Sequence, residues 1–347
     1  IELPIWRGGL IDTDRAKREK AIDLQDAAEQ GLFSTELGLE LAAARAYWSW
    51  VSAGQNRAVA RALLDLAEQR DGQLRRRLKA GSIAEFDVID NERILIERQT
   101  YLVAAERALE KATFELSLFF RDANGQPVVV EPERVPDDVA IDPFEGLAVE
   151  RAIQQVVMCH PDVREAKSVV EAAEVDVKLA KNELGPELDA FFEYSRDLGE
   201  LTQTDLDFTL PGNVFEVGLK LSMPLLFRSE RGRAAAARAK AAEQRESLRF
   251  ITDQLRAKTR DAASAVEAAQ ERAELTQDVV ETAAKLAEGE RRRFEAGSSN
   301  LIFVNLREQQ AAMARMRYIE AVAQAETQRT RWETTTRVPC STSVPGR

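Results

Sequence analysis

Apolar and polar residues alternate along 214–223, VFEVGLKLSM. Phe215, Val217, Leu219, Leu221 and Met223 fall on one side of the chain; Glu216, Gly218, Lys220 and Ser222 fall on the other. A period of two marks a strand with one apolar face. Just downstream the period changes. No proline occurs from Ser229 to Ala296, and alanine, glutamate and arginine dominate. Leu248, Ile251, Leu255, Ala262, Val266, Ala269 and Ala273 step by three, four or seven, which is coiled-coil spacing. The pattern predicts one helix over 229–296, about 100 Å long at 1.5 Å per residue. A globular domain does not bury a helix of that length. A one-faced strand feeding such a helix predicts a membrane barrel carried on a long coiled coil.

The remaining elements follow from the same two periods. Residues 188–195, LDAFFEYS, form a second strand, with Ala190, Phe192 and Tyr194 on one face and Asp189, Glu193 and Ser195 on the other; Phe191 breaks the pattern. An acidic loop over 197–213 joins the two strands into a hairpin spanning 188–223. That loop is longer than a hairpin needs, which suits an exposed surface loop of an outer-membrane barrel. Ile1 to Trp6 is a strand end, and a helix follows over about 11–80, weakened by Gly31 and Gly54 but not broken, at about 1 kcal/mol each relative to alanine. Further helices are predicted over about 86–119, 144–155, 161–183 and 301–334. Residues 121–142 are a Pro-containing linker with a short extended piece at Val128–Val130, and 335–347 form a disordered tail.

The chain repeats itself. IELPIWRGG (1–9) aligns with LSMPLLFRS (221–229), placing Pro4 opposite Pro224; RRRLKAGSIA (75–84) aligns with RRRFEAGSSN (291–300), placing Gly81 opposite Gly297. The first pair is 220 residues apart and the second 216. The copies therefore differ by about one helical turn, which would disturb a heptad locally. The division is a partial first repeat, 1–120, the linker, and a second repeat, 143–334, with its tip turn at 297–300. Arg75, Arg76, Arg77 and Lys79 precede Gly81. Cations complement a helix C-terminus, and glycine suits the left-handed position after it.

Composition narrows the function. The net charge is −11 with 31% charged residues, which leaves no domain-wide basic face for nucleic acid. No apolar run reaches the length of a transmembrane helix, and this does not bear on barrel strands. The single histidine, His160, adjoins Cys159; two adjacent ligands make no closed metal site, so helix capping is the expected role of His160. The pair Asp137–Asp138 sits in the linker and is expected to be solvated. No phosphate loop or nucleophile motif occurs, so no enzyme activity, cofactor or metal is expected. Cys159 and Cys340 leave the redox compartment open. The chain opens at IELPIW without a methionine, and is expected to continue a segment lying upstream.

Few strands cannot close a cylinder, and an open edge in lipid leaves backbone groups unsatisfied. The helices likewise need neighbours on both flanks. A closed ring of identical copies meets both demands, and a ring of strands with a ring of helices is a conduit.

Three stretches carry a resemblance to a known family: HPDVREAKSVVEAAEVDVKLAKNELGPELDAFFEYS (160–195), VGLKLSMPLLFRSERGRAAAARAKAAE (217–243) and ERRRFEAGSSNLIFVNLREQQ (290–310). With the element order, they resemble the TolC family of outer-membrane efflux proteins over nearly the whole chain. The resemblance implies a mainly α fold with a small β part, a homotrimer with a twelve-stranded barrel, and an α-helical tunnel across the periplasm of a Gram-negative bacterium. It implies a channel for efflux or type I secretion, working with a periplasmic adaptor and an inner-membrane pump of RND, ABC or MFS type. On this reading Phe215, Val217, Leu219 and Leu221 face outer-membrane lipid, and Glu216, Lys220 and Ser222 face the lumen. Gly81, Ser82, Gly297 and Ser298 lie in the two helix tips on which adaptors dock. Some members carry an acidic ring at the entrance in the second tip; here Phe303 and Leu306 stand at those places, while Asp87 and Asp90 remain in the first tip. Trp6 and Phe227 hold matching places at the strand-to-helix junction, as core packing or as an aromatic belt. The runner-up reading is a soluble periplasmic coiled-coil scaffold or adaptor hairpin. It leaves the alternating strands unexplained, and no Gly/Val-rich lipoyl-like module is visible. A peripheral membrane helix would show a basic face, against the acidic balance.

Overall fold

A computed structural model describes residues 1–138, 148–196, 213–223 and 227–338. Most of the expected 197–213 loop, Pro224, Cys340 and the end of the tail lie outside the described residues. In chain order the elements are β1 (Glu2–Pro4), α1 (Thr13–Lys79), α2 (Glu85–Ser117), α3 (Val149–Cys159), α4 (Pro161–Asn182), β2 (Glu187–Arg196), β3 (Asn213–Ser222), α5 (Arg228–Glu295) and α6 (Leu301–Thr336). Among the described residues no helix is long and apolar enough to cross a membrane.

The chain divides into two compact units, and α1 and α5 contribute to both. The first holds residues 1–34 and 157–255 of the described chain. Its sheet has the order β1-β2-β3, antiparallel throughout. Ala190 faces Leu219, Phe192 faces Val217 and Tyr194 faces Phe215, so the apolar residues share one face, as the period demands. On the other face Asp189 is opposite Lys220 and Phe191 is opposite Gly218. Phe191 breaks the alternation because its ring covers the glycine: a Cβ at Gly218 would lie 2.6 Å from the ring. The helices of this unit are tied by exposed ion pairs, Lys20 to Asp176 (2.8 Å) and Lys178 to Glu19 (3.0 Å) between α1 and α4, and Arg245 to Glu174 (2.8 Å) between α5 and α4. Such pairs are individually weak. The alanines buried on α4 and α5, among them Ala172, Ala173, Ala234 and Ala241, leave little side-chain bulk to hold helices apart.

The second unit holds residues 35–156 and 256–338 of the described chain. Its apolar clusters run along the α1–α2 pair: Trp50 and Val51 with Leu109, Ala112 and Leu116, then Ala60 and Leu64 with Leu102, then Leu74 with Val88. Rising numbers on α1 meet falling numbers on α2, so the pair is antiparallel. A separate cluster joins Ala262, Ala263 and Val266 of α5 to Trp332 of α6 and Ala152 of α3.

Several expectations are corrected. The four-residue difference between the copies does not sit inside a helix: α1 and α5 have 67 and 68 residues, and the extra residues lie in the turn between β1 and α1. The linker forms no strand at 128–130. It makes one isolated bridge, Arg121 to Pro127, and a short turn at Pro132–Arg134, while Val130 packs into the Trp50 cluster. Its Asp138 is 77% exposed, as expected of a solvated carboxylate, and pairs with Arg315 at 2.9 Å. Cys159 closes α3 and is disulfide-bonded. His160 caps α4, its Nδ1 accepting the Asp162 backbone N–H at 3.2 Å. α6 runs two residues into the expected tail, with the Thr335 and Thr336 hydroxyls bonded to the Arg331 and Trp332 carbonyls.

Candidate functional site

The two helix tips are built alike. Gly81 and Gly297 have φ of +72° and +74°, the left-handed conformation that glycine adopts without strain. After α1, the Gly81 N–H donates to Leu78 O (2.9 Å) and the Ser82 N–H to Arg77 O (3.0 Å). After α5, the Gly297 N–H donates to Phe294 O (3.0 Å) and the Ser298 N–H to Arg293 O (2.8 Å). These are the two bonds of a Schellman cap. Both serines add a hydroxyl bond to the same Arg77 and Arg293 carbonyls, each at 3.0 Å. The tips differ at the next helix start: Asn300 accepts the Phe303 N–H at 3.1 Å, whereas Ala84 offers no side-chain cap. Leu74 and Val88 of the first tip pack with Leu301 of the second, and Arg77 lies over the Phe294 ring at 5.8 Å.

Of the residues assigned to an entrance, Asp90 and Leu306 line one groove, together with Phe86 and Ile302. Asp87 stands in the first turn of α2 and Phe303 is exposed; neither lines that groove. Asp90 is bonded to Arg93 at 3.0 Å, so part of its charge is neutralised.

The sequence reading missed a buried charged cluster of this unit. Glu308 of α6 meets Arg70 of α1 at 2.5 Å, Arg98 of α2 at 3.2 Å and Arg291 of α5 at 3.5 Å. Arg70 also donates to Asn305 Oδ1 at 2.5 Å, and Arg98 to Leu63 O at 2.7 Å. Burial pulls Arg98 below the usual guanidinium range, with Glu308 opposing the shift. Four helices thus converge on one carboxylate. The signal lay in spacing: Asn91 and Arg98 interrupt the Val88–Leu102 row, and Glu308 interrupts the Leu301–Val304–Ala312 row.

In the other unit, Phe215, Val217, Leu219 and Leu221 are exposed on the sheet's apolar face, and Glu216, Lys220 and Ser222 are exposed on the opposite face. Trp6 and Phe227 are not equivalent. Trp6 is exposed in the turn after β1, with its indole against Gly185. Phe227 is half-buried directly before α5, with φ +46°. Among the described residues no group of acidic, histidine or cysteine side chains is arranged to hold a metal.

The profile of a family described as Outer membrane efflux protein matches residues 152–334, more than half of the chain. No curated protein sequence matches. Among solved structures, a membrane protein from Pseudomonas aeruginosa superposes with a TM-score of 0.77 at 14% identity, over 96% of this chain and 75% of that one. The CmeC outer membrane channel of Campylobacter jejuni gives 0.76 at 12% identity, over 96% and 69%. The outer membrane protein VceC of Vibrio cholerae gives 0.74 at 18% identity, over 97% and 78%. At these identities the likeness is one of fold.

Proposed function

Because this chain belongs to the outer membrane efflux protein family, we propose that it is the outer-membrane channel component of a tripartite efflux or type I secretion assembly. It conducts substrates passively, and a pump in the inner membrane, of RND, ABC or MFS type, supplies the energy. Three copies pool their strands into one twelve-stranded barrel in the outer membrane of a Gram-negative bacterium. The helical part lies in the periplasm and meets an adaptor at the tips formed by Gly81, Ser82, Gly297 and Ser298. Phe303 and Leu306 narrow the entrance, and Asp87 and Asp90 give it a modest acidic ring. Trp6 and Phe227 are proposed as interfacial aromatics.

One observation carries this reading: a sheet face of Phe215, Val217, Leu219 and Leu221 is exposed while the opposite face carries Glu216, Lys220 and Ser222. Water would not tolerate such a face uncovered, and lipid would. Val217→Arg on the lipid side should abolish outer-membrane residence and single-channel current in planar bilayers, since a cation facing lipid at mid-depth costs about 2–4 kcal/mol per copy. Glu216→Gln on the lumen side should keep both. A wild-type chain that fractionates as a free periplasmic monomer and carries no current would overturn the proposal in favour of a soluble scaffold. Asp87→Asn with Asp90→Asn should weaken block by multivalent cations; unchanged block would remove the acidic ring from the reading.

A further inference from the structure

A groove of about 360 Å³ opens between α2 and α6, with Leu63 of α1 at its base. That volume lies in the range of small-ligand sites, about 300–1,000 Å³. Its walls carry Phe86, Tyr101, Ile302 and Leu306, all exposed. Its polar lining includes Asn305 and Arg98, 8% and 6% exposed.

Asn305 has a donor to spare. Its Oδ1 accepts from Arg70 Nη1 at 2.5 Å, and its Nδ2 is buried with no hydrogen-bond partner. The amide cannot be turned to cure this, because the flipped form would present its own N–H groups to the guanidinium. The charge beside it is also unbalanced. Arg70 and Arg98, both largely buried, share the one buried carboxylate of Glu308, while Glu97 acts on Arg98 from further off and the more exposed Arg291 also pairs with Glu288 at 3.3 Å. An orphan donor beside one buried cation in excess favours an incoming acceptor with negative charge. The rim is opposite in sign: Asp90 and Glu97 share Arg93, at 3.0 and 2.5 Å. A ligand head must therefore pass a weakly acidic rim to reach a basic floor, so the two signs of head group give different outcomes.

We propose that the groove between α2 and α6 binds an amphiphile with a carboxylate head and a short aliphatic tail, the head at Asn305 and Arg98 and the tail against Phe86, Ile302 and Leu306. The site shares Asp90 and Leu306 with the proposed entrance. Its occupancy does not depend on conduction, which is read by current, so either reading can fail alone.

The test is isothermal titration of the full chain in lipid nanodiscs, with empty nanodiscs subtracted, using octanoate and octyltrimethylammonium. Octanoate should bind saturably, and the cation of equal tail length at least about tenfold more weakly. Asn305→Asp keeps the size and the acceptor toward Arg70 but replaces the free donor with a carboxylate; it should weaken octanoate about tenfold or more. Ile302→Ser sits on the exposed wall away from the arginines and should cause a smaller loss. Equal binding of both head groups would mean an apolar trough only. No octanoate binding, as when a second copy or another protein covers the groove, would overturn the proposal, as would full affinity in Asn305→Asp.

Discussion

Arg70 and Glu308 lie 238 residues apart in sequence and meet at 2.5 Å, their side chains 10% and 2% exposed. Arg98 and Arg291 complete the contact from two further helices. Water is nearly excluded, so the cost of breaking the group is set by what is left behind. Glu308→Ala strands buried guanidinium groups, and unfolding followed by circular dichroism should show a loss of about 3–5 kcal/mol. Replacing Arg70 and Glu308 together by methionines should cost less, because the Arg70 cation is no longer stranded, although Arg98 still loses its carboxylate and Asn305 its donor. Equal losses in both variants would show that Arg70 contributes only packing.

The same residues mark how far the sequence could be read. The extents of the long helices followed from period and from the lack of proline, and the glycine tips from repetition, because these signals are local; the short α3 did not, expected to end at 155 and running instead to Cys159. Glu308, Asn305, Arg98 and Asn91 each stood in an apolar row, yet nothing local states which distant helix supplies the partner. Phe191 was visible as an exception on the polar face. Its cause, Gly218 directly opposite, is a matter of register. The four-residue difference between the copies was countable, but only the structure places it in the turn before α1, where it costs no helical packing. The roles given to Asp87 and Phe303 rest on the resemblance, since neither joins the groove that Asp90 and Leu306 line.

At Gly297 the backbone is left-handed and a Cβ would meet nothing within 4 Å. Conformation alone therefore sets the penalty. Gly297→Ala should destabilise by about 1 kcal/mol, and Gly297→Asn by less, because asparagine tolerates this conformation. Gly81 should behave alike, having the same φ and the same open space. Denaturant midpoints of the four variants check this; a larger loss for Asn than for Ala would contradict it.

Asp12 precedes α1 and accepts the backbone N–H groups of Asp14 (2.9 Å) and Arg15 (2.8 Å). The Arg15 bond, with that of Asp14 and the Arg15 charge, holds the carboxyl below its ordinary value of 3.8. A carboxylate lowered on folding adds stability above its unfolded pKa, and the gain fades as pH falls through the folded value. Protection of Thr13–Lys20 against amide exchange, corrected for intrinsic rates, should thus be flat near neutrality and decline only in strong acid. Asp12→Asn keeps the acceptor and should flatten the acid decline. A transition near neutral pH would show that another group governs this helix start.

Gly54 lies mid-way along α1, where helix propensity alone would favour alanine by about 1 kcal/mol. The linker explains the glycine. A Cβ at position 54 would sit 2.5 Å from both Val135 methyl groups, and the neighbouring Gln55 side chain donates to Pro136 O at 3.2 Å. The linker is thereby pressed onto α1 through a notch that only a missing side chain provides. Two effects of opposite sign compete in Gly54→Ala: the propensity gain, and an overpacking cost of about 1–3 kcal/mol. The overlap is with two branched methyls attached to an anchored segment, so the cost should win and the variant should be less stable. Val135→Ala removes both methyls. In the double variant the two methyl overlaps are gone and only the Cβ of residue 135, 2.9 Å from the added one, stays close, so Gly54→Ala should cost clearly less on that background. A double-mutant cycle of unfolding free energies isolates the coupling, expected at about 1 kcal/mol or more. Purely additive effects would mean that the linker leaves α1 freely and that the notch has another cause.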